Sequence, residues 1–281
     1  MIRFRVDEVP NLKFIRSIVT FSFCFPLALS CKNLVTDNDC PNNGPGLSLA
    51  PLSGLNLPLK TISLSFSNAP GGKTQEIVDF LYSNNIKATF FITGQLVEVN
   101  EPDLLEIKRK GHLVGNGTYS GKGLEKSKAP ILDVRRNDRL LTPYISGNIF
   151  LLRAPFNDYT DETIDTLNKA GLRKYSGPVQ WDIGEGQNGF LSDRQCWQAN
   201  LDIGSCADQY LKQIKSREKG IVAFHSVEGR TLELVKNLVP ALVSSGFQFV
   251  RVDEIPDIRA AVQKNGGIPG TIGGPAACSG F

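Results

Sequence analysis

A chain of 281 residues, 41% of them hydrophobic, carries enough apolar mass for one large α/β domain with its own core. Its 31 basic and 28 acidic residues leave a formal net charge of +3, with no basic block and no acidic tail. Without a helix-turn-helix, finger or RNP-like pattern either, nucleic acid is excluded as an expected partner.

In chain order, Arg3, Arg5, Lys13 and Arg16 precede an apolar run over 17–30 that has the length of a signal-peptide core and is too short for a membrane span. Residues 1–30 therefore read as a signal peptide. The run ends in Leu27-Ala28-Leu29-Ser30-Cys31, an imperfect lipoprotein cleavage box in which Leu29 stands where a small residue is expected. A lipid anchor at Cys31 and plain cleavage near it stand as alternatives. Both predict a secreted, periplasmic or cell-envelope protein, and the first adds a lipid hold on the membrane.

Of the six cysteines, Cys24 would leave with the signal and Cys31 would carry the lipid, so Cys40, Cys196, Cys206 and Cys278 can pair completely. In an oxidising compartment the favoured pairs are Cys196 with Cys206 and Cys40 with Cys278, although sequence alone permits three connectivities. No C-x-x-C spacing supports a cysteine metal site.

Residues 31–58, rich in Asn, Gly, Pro and Ser and without periodicity, read as a tether. Over 59–256 strands and helices then alternate. Strands are expected at 62–66, 88–92, 149–152, 221–224 and 247–250, and helices from Thr74, near Asn100-Glu101-Pro102, and over 160–170, 207–219 and 231–244. Residues 257–281 read as a Gly-rich tail. This order implies parallel strands with covering helices, and periodicity alone fits a barrel or an open doubly wound sheet.

The segments that carry chemistry are S-F-S-N-A-P at 65–70, G-H-L-V-G-N-G-T-Y-S-G at 111–121, A-T-F-F at 88–91, R-A-P at 153–155, D-R at 193–194 and F-H-S at 224–226. Together they resemble the polysaccharide deacetylase (NodB-type carbohydrate esterase) family over roughly residues 60 to 255. Its first motif reads T-F-D-D-G-P and its second H-(S/T)-x-x-H. The resemblance implies an α/β fold, a distorted, incomplete (β/α) barrel, and hydrolysis of the N-acetyl amide of a hexosamine polymer by water bound to zinc or another divalent metal.

Carried over residue by residue, the resemblance puts the general base at Ser67 and the metal ligands at Asn68, Gly117 and Gly121. It makes Arg153 the residue that positions the base, His225 the general acid, and Asp193 the carboxylate of a D-W pair whose Trp is Arg194 here. Tyr119, Pro155, Phe156 and Trp181 are candidate sugar contacts, and His112 reads as structural. A neutral Asn and two glycines do not make a zinc site, and an unassisted hydroxyl is no base near neutral pH. The expectation is thus an exported, monomeric protein that binds an N-acetylated glycan, peptidoglycan or chitin-like, without a metal cofactor and with impaired catalysis. The alternative is an active metal-dependent N-deacetylase, with Asp182, Glu185, Asp193 and His225 as a new cluster.

Overall fold

The computed structural model describes residues 42–184, 189–226 and 228–274. Thirteen elements follow in order: β1 (Thr61–Ala69), α1 (Thr74–Ser83), β2 (Thr89–Ile92), α2 (Gly94–Arg109), β3 (Leu113–Asn116), α3 (Pro130–Leu141), α4 (Asp161–Lys169), α5 (Asp193–Gln198), α6 (Ile203–Arg217), β4 (Lys219–His225), α7 (Thr231–Ser244), β5 (Gln248–Phe249) and α8 (Pro256–Lys264). The sheet runs β3-β2-β1-β4 and every pairing is parallel, with β5 on the part of β1 that precedes its pairing with β2.

Among the described residues the wall continues beyond β3 and β4 through the isolated parallel bridges Asn116 to Leu152, Leu151 to Ser176 and Ile183 to Val222, with Leu52 bridging Val179. The result is a distorted, incomplete (β/α) barrel. The expected strand over 149–152 therefore exists as bridge positions alone.

Strand β1 sets the two faces of this wall. Ile62, Leu64 and Phe66 enter the core between sheet and helices, while Ser63 and Ser65 are equally buried on the opposite, interior face. On the helix side Phe66 stacks on Phe90 and on Phe224 at 4.8 and 5.5 Å, and Phe224 stacks on Tyr210 at 5.0 Å. Each such pair contributes about 1 kcal/mol beyond its burial. The interior is filled by a second cluster that includes Phe91, Leu151, Val179, Trp181, Ile221 and Ala223.

Two boundaries differ from the sequence reading. Residues 42–58 are not a free tether: Leu47 and Leu57 are buried, Leu52 bridges Val179, and the Gly54 N–H donates to Asp182 Oδ2 at 2.8 Å. Leucines recurring every five residues anchor a segment that has no helix or strand period. The segment read as a tail is likewise tied down, because α8 buries Ile258 and Val262 and the Asn265 amide donates to Tyr175 O at 2.8 Å and Ser176 Oγ at 3.0 Å. Helix α2 starts at Gly94, earlier than expected, and breaks its helical geometry at Asn100, two residues before Pro102.

The Cys196–Cys206 disulfide is present, with Cα atoms 5.9 Å apart. Cys31, Cys40, Cys278, the signal segment and Glu185 lie outside the described residues. No helix among the described residues is long and apolar enough to cross a membrane.

His112 is structural. It is buried edge-on against Phe90, accepts from the Ala88 N–H through Nδ1 at 3.1 Å, and has its pKa lowered to about 4, chiefly by burial and then by the Lys87 charge. The unfolded chain binds this proton below about 6.5 and the folded chain only near 4, so the stability from neutral His112 is complete above pH 6.5 and is lost as pH falls towards 4. At pH 5 the loss from this residue should be about 2 kcal/mol relative to pH 7. Urea unfolding at both pH values should give His112→Gln a correspondingly smaller pH dependence; equal slopes would refute the assignment.

Candidate functional site

The interior face of β1 meets one buried cation. Arg153 is 2% exposed, donates through one terminal nitrogen to Ser65 Oγ at 3.0 Å and Ser67 Oγ at 3.2 Å, and donates through Nε to Val179 O at 3.2 Å. Its guanidinium lies 4.0 Å from the centre of the Phe91 ring and 5.6 Å from that of Trp181. Above it, Ser67, Asn68, Phe91, Gly117, Arg153 and Pro155 line a pocket of about 20 Å³, room for about one water.

The backbone around this pocket is held in unusual conformations. Asn68, Thr118 and Phe156 have φ of 53°, 68° and 60°, and Gly121 has 68°. For a β-branched residue such as Thr118 this is a strained state that only its surroundings can impose. Here Asn116 Oδ1 accepts from the Thr118 N–H at 2.9 Å and from the Asn137 amide at 2.9 Å, while its own amide donates to Val134 O and Tyr175 Oη. Tyr175 and Lys174 both donate to Asp138, at 2.6 and 2.8 Å. Burial pushes the Tyr175 hydroxyl pKa well up, so it stays protonated. Asn137 and Asp138 sit on α3, a helix absent from the sequence expectations although Pro130 in its first turn is a start signal.

Across the mouth, His225 ends β4 as the in-register partner of Ser67. Asp193, fully buried at the start of α5, accepts from His225 Nδ1 at 2.7 Å, the His225 N–H at 2.8 Å, Thr231 Oγ1 at 2.7 Å and the Arg194 N–H at 2.9 Å. A carboxylate so placed fixes the Nδ1–H tautomer and turns Nε2 away from itself. The disulfide belongs to this arrangement, because α5 is only six residues long and Cys196 ties it to α6.

Several sequence expectations are corrected here. Asp193 spends its oxygens on His225 and Thr231. Asp182 does not join a cluster with His225: it accepts from the N–H groups of Gly54 and Ile221 at 2.8 and 2.7 Å, and Ile221 precedes His225 by four strand residues, about 13 Å. Burial raises the Asp182 pKa, opposed by those two hydrogen bonds. Tyr119 turns away from the mouth, donating to Glu98 at 2.9 Å with the Arg136 guanidinium 3.5 Å over its ring. Trp181 is interior core beneath Arg153, whereas Phe156 is 64% exposed beside the pocket. Arg194, where the motif has Trp, pairs with Glu228 at 3.0 Å.

The donors do not fit a catalytic metal. Ser67 and Asn68 offer a neutral hydroxyl and a neutral amide, Gly117 and Gly121 offer nothing, and among the described residues no group of three His, Cys, Asp or Glu converges. Nor are the glycines ready to receive imidazoles. A Cβ on Gly117 would lie 3.0 Å from Ile92 O, and one on Gly121 would lie 3.1 Å from Thr93 Cγ2 on a left-handed backbone. The combined variant Ser67→Asp, Asn68→Asp, Gly117→His, Gly121→His should therefore melt below the parent without zinc, by the equivalent of about 2–4 kcal/mol. Added zinc should recover part of that loss, since a ligand of the folded state stabilises it. Thermal melts with and without zinc read both effects, and an unchanged zinc-free melting temperature would show that the glycine sites are not tight.

Comparison with known proteins agrees with this geometry. The family model described as Polysaccharide deacetylase matches residues 55–175. A peptidoglycan-N-acetylglucosamine deacetylase of Bacillus cereus is 26% identical over 205 residues, 70% of this chain and 88% of the relative. A chitooligosaccharide deacetylase of Sinorhizobium fredii is 25% identical over 220 residues, 72% of this chain and 93% of the relative. Among solved structures, Bacillus subtilis PdaA, a family 4 carbohydrate esterase, superposes with a TM-score of 0.60 at 22% identity, covering 75% of this chain and 86% of that one. With the parallel, unclosed barrel, these matches support the polysaccharide deacetylase family, of the NodB type, for the described domain.

Proposed function

We propose that the chain is an exported, monomeric cell-envelope protein that binds an N-acetylated glycan, peptidoglycan or chitin-like, and lacks metal-dependent N-deacetylation. One observation carries the reading: Ser67, Asn68, Gly117 and Gly121 depart together from base and ligand chemistry, while Arg153, Asp193 and His225 keep an ordered mouth around them. Loss of any one member of a catalytic unit already removes most of its rate. The names of the relatives support the glycan class. Phe156, exposed beside the pocket, is the sugar-stacking surface, and Pro155 forms the adjoining wall.

The mature chain starts at or near Cys31 after loss of residues 1–30, with or without lipid, and Cys40 pairs with Cys278. Intact-mass spectrometry of the exported protein before and after reduction should show that start and two disulfides; a start at Met1 or a free Cys40 thiol would refute this part.

Binding and chemistry are tested together. The purified chain should sediment with insoluble peptidoglycan or chitin, and Phe156→Ala should weaken retention by about 2- to 10-fold. With zinc supplied, an N-acetylglucosamine oligomer should release no acetate above the buffer rate. Zinc-dependent acetate release would overturn the loss of deacetylation, and failure to sediment with either polymer would overturn the binding role.

A further inference from the structure

We propose that Ser67, His225 and Asp193 form a nucleophile, general base and orienting carboxylate that hydrolyse acyl esters without a metal. The proposal rests on the reading above only in taking the ester to be borne by a glycan.

The geometry starts in the sheet. Ser67 and His225 are direct partners on the parallel strands β1 and β4, so their side chains leave the sheet on the same face, with Cα atoms about 4.8 Å apart. The next pair inward, Ser65 with Ala223, faces the barrel interior, which fixes the mouth as the side to which Ser67 and His225 point. His225 is held from behind by the 2.7 Å bond to Asp193, whose four accepted hydrogen bonds leave it one orientation. This is the relation of base to orienting acid that activated hydroxyl nucleophiles require.

Ser67 cannot serve as the base of the ancestral reaction, but as a nucleophile it needs only a base beside it. In the present rotamer its oxygen accepts from Arg153 at 3.2 Å, which leaves the hydroxyl proton to donate. A change of the Ser67 rotamer about its one side-chain bond is the movement this role requires to bring that proton to His225 Nε2. The Arg153 guanidinium, fixed by Ser65 Oγ and Val179 O, then stands where negative charge develops on an acyl oxygen.

Ser67 Oγ bonds to the acyl carbon, its proton passes to His225 Nε2, and the carbonyl π electrons move to the oxygen beside Arg153. Collapse breaks the ester C–O bond, and the departing alkoxide takes the proton from His225. Water then adds to the acyl-Ser67 carbon, giving its proton to His225; Oγ leaves, regains that proton, and the free acid departs. An ester suits this site better than an amide, because an alkoxide is the better leaving group where no metal assists.

The test uses the full mature chain with p-nitrophenyl acetate and a fluorophosphonate probe, both in chelator. Hydrolysis should be chelator-insensitive and fall at least ~100-fold in Ser67→Ala and in His225→Asn. The fluorophosphonate should add one adduct to the unmutated chain, mapped by peptide mass spectrometry to Ser67, which does not depend on any variant folding. No adduct on Ser67, or hydrolysis that survives Ser67→Ala, overturns the proposal. Sedimentation with glycan is read on the same preparation, so a chain that binds polymer but carries no adduct defeats this inference alone, and one that carries the adduct but binds no polymer defeats only the glycan reading.

Discussion

The buried guanidinium of Arg153 organises this barrel. A cation deep in a fold must find hydrogen-bond acceptors and π-faces in place of water, or its burial would cost several kcal/mol. Ser65, Ser67, Val179 O, Phe91 and Trp181 supply them, from β1, β2 and the segment that bridges towards β4. The serine face of β1 is therefore polar for a reason, and the pocket floor follows from it. A smaller or neutral residue at 153 would leave the interior hydroxyls facing a void.

The opposite wall of the mouth depends on Asp193 in the same way. Its carboxylate ties the start of α5 to the end of β4 and the start of α7, 32 and 38 residues further on. A six-residue helix does not hold such a position by propensity. Its capping box at Ser192 and Gln195 and the Cys196–Cys206 link do so instead.

Much of this was legible in the sequence. The alternation Ile62, Ser63, Leu64, Ser65, Phe66, Ser67 announces a strand with two unlike faces, and α7 occupies the span that its apolar periodicity marks. The Cys196–Cys206 pairing could be favoured because the two residues are ten apart. Other features were not readable for physical reasons. Residues 42–58 have the composition of a loop, and separated leucines together with hydrogen bonds to residues more than 100 positions away hold them to the domain. Tyr119 sits in a matching motif, yet motif identity does not give side-chain direction, and the left-handed turn at Thr118 sends it towards Glu98. The partnership of Asp193 with His225 spans 32 residues and left no periodic trace.

The packing of the two end segments has a mechanical consequence. Asn265, just after α8, accepts from the Gly46 N–H at 3.1 Å, and Asn168 bonds Leu47 through both its N–H and its carbonyl at 2.9 Å. The chain therefore enters the domain beside the place where its last helix ends. A pull applied between these two ends loads a few side-chain hydrogen bonds in series and bypasses the sheet. With the proposed Cys40–Cys278 link reduced, tension would peel the entering strap from the barrel while the parallel ladder, and the mouth above it, stayed intact.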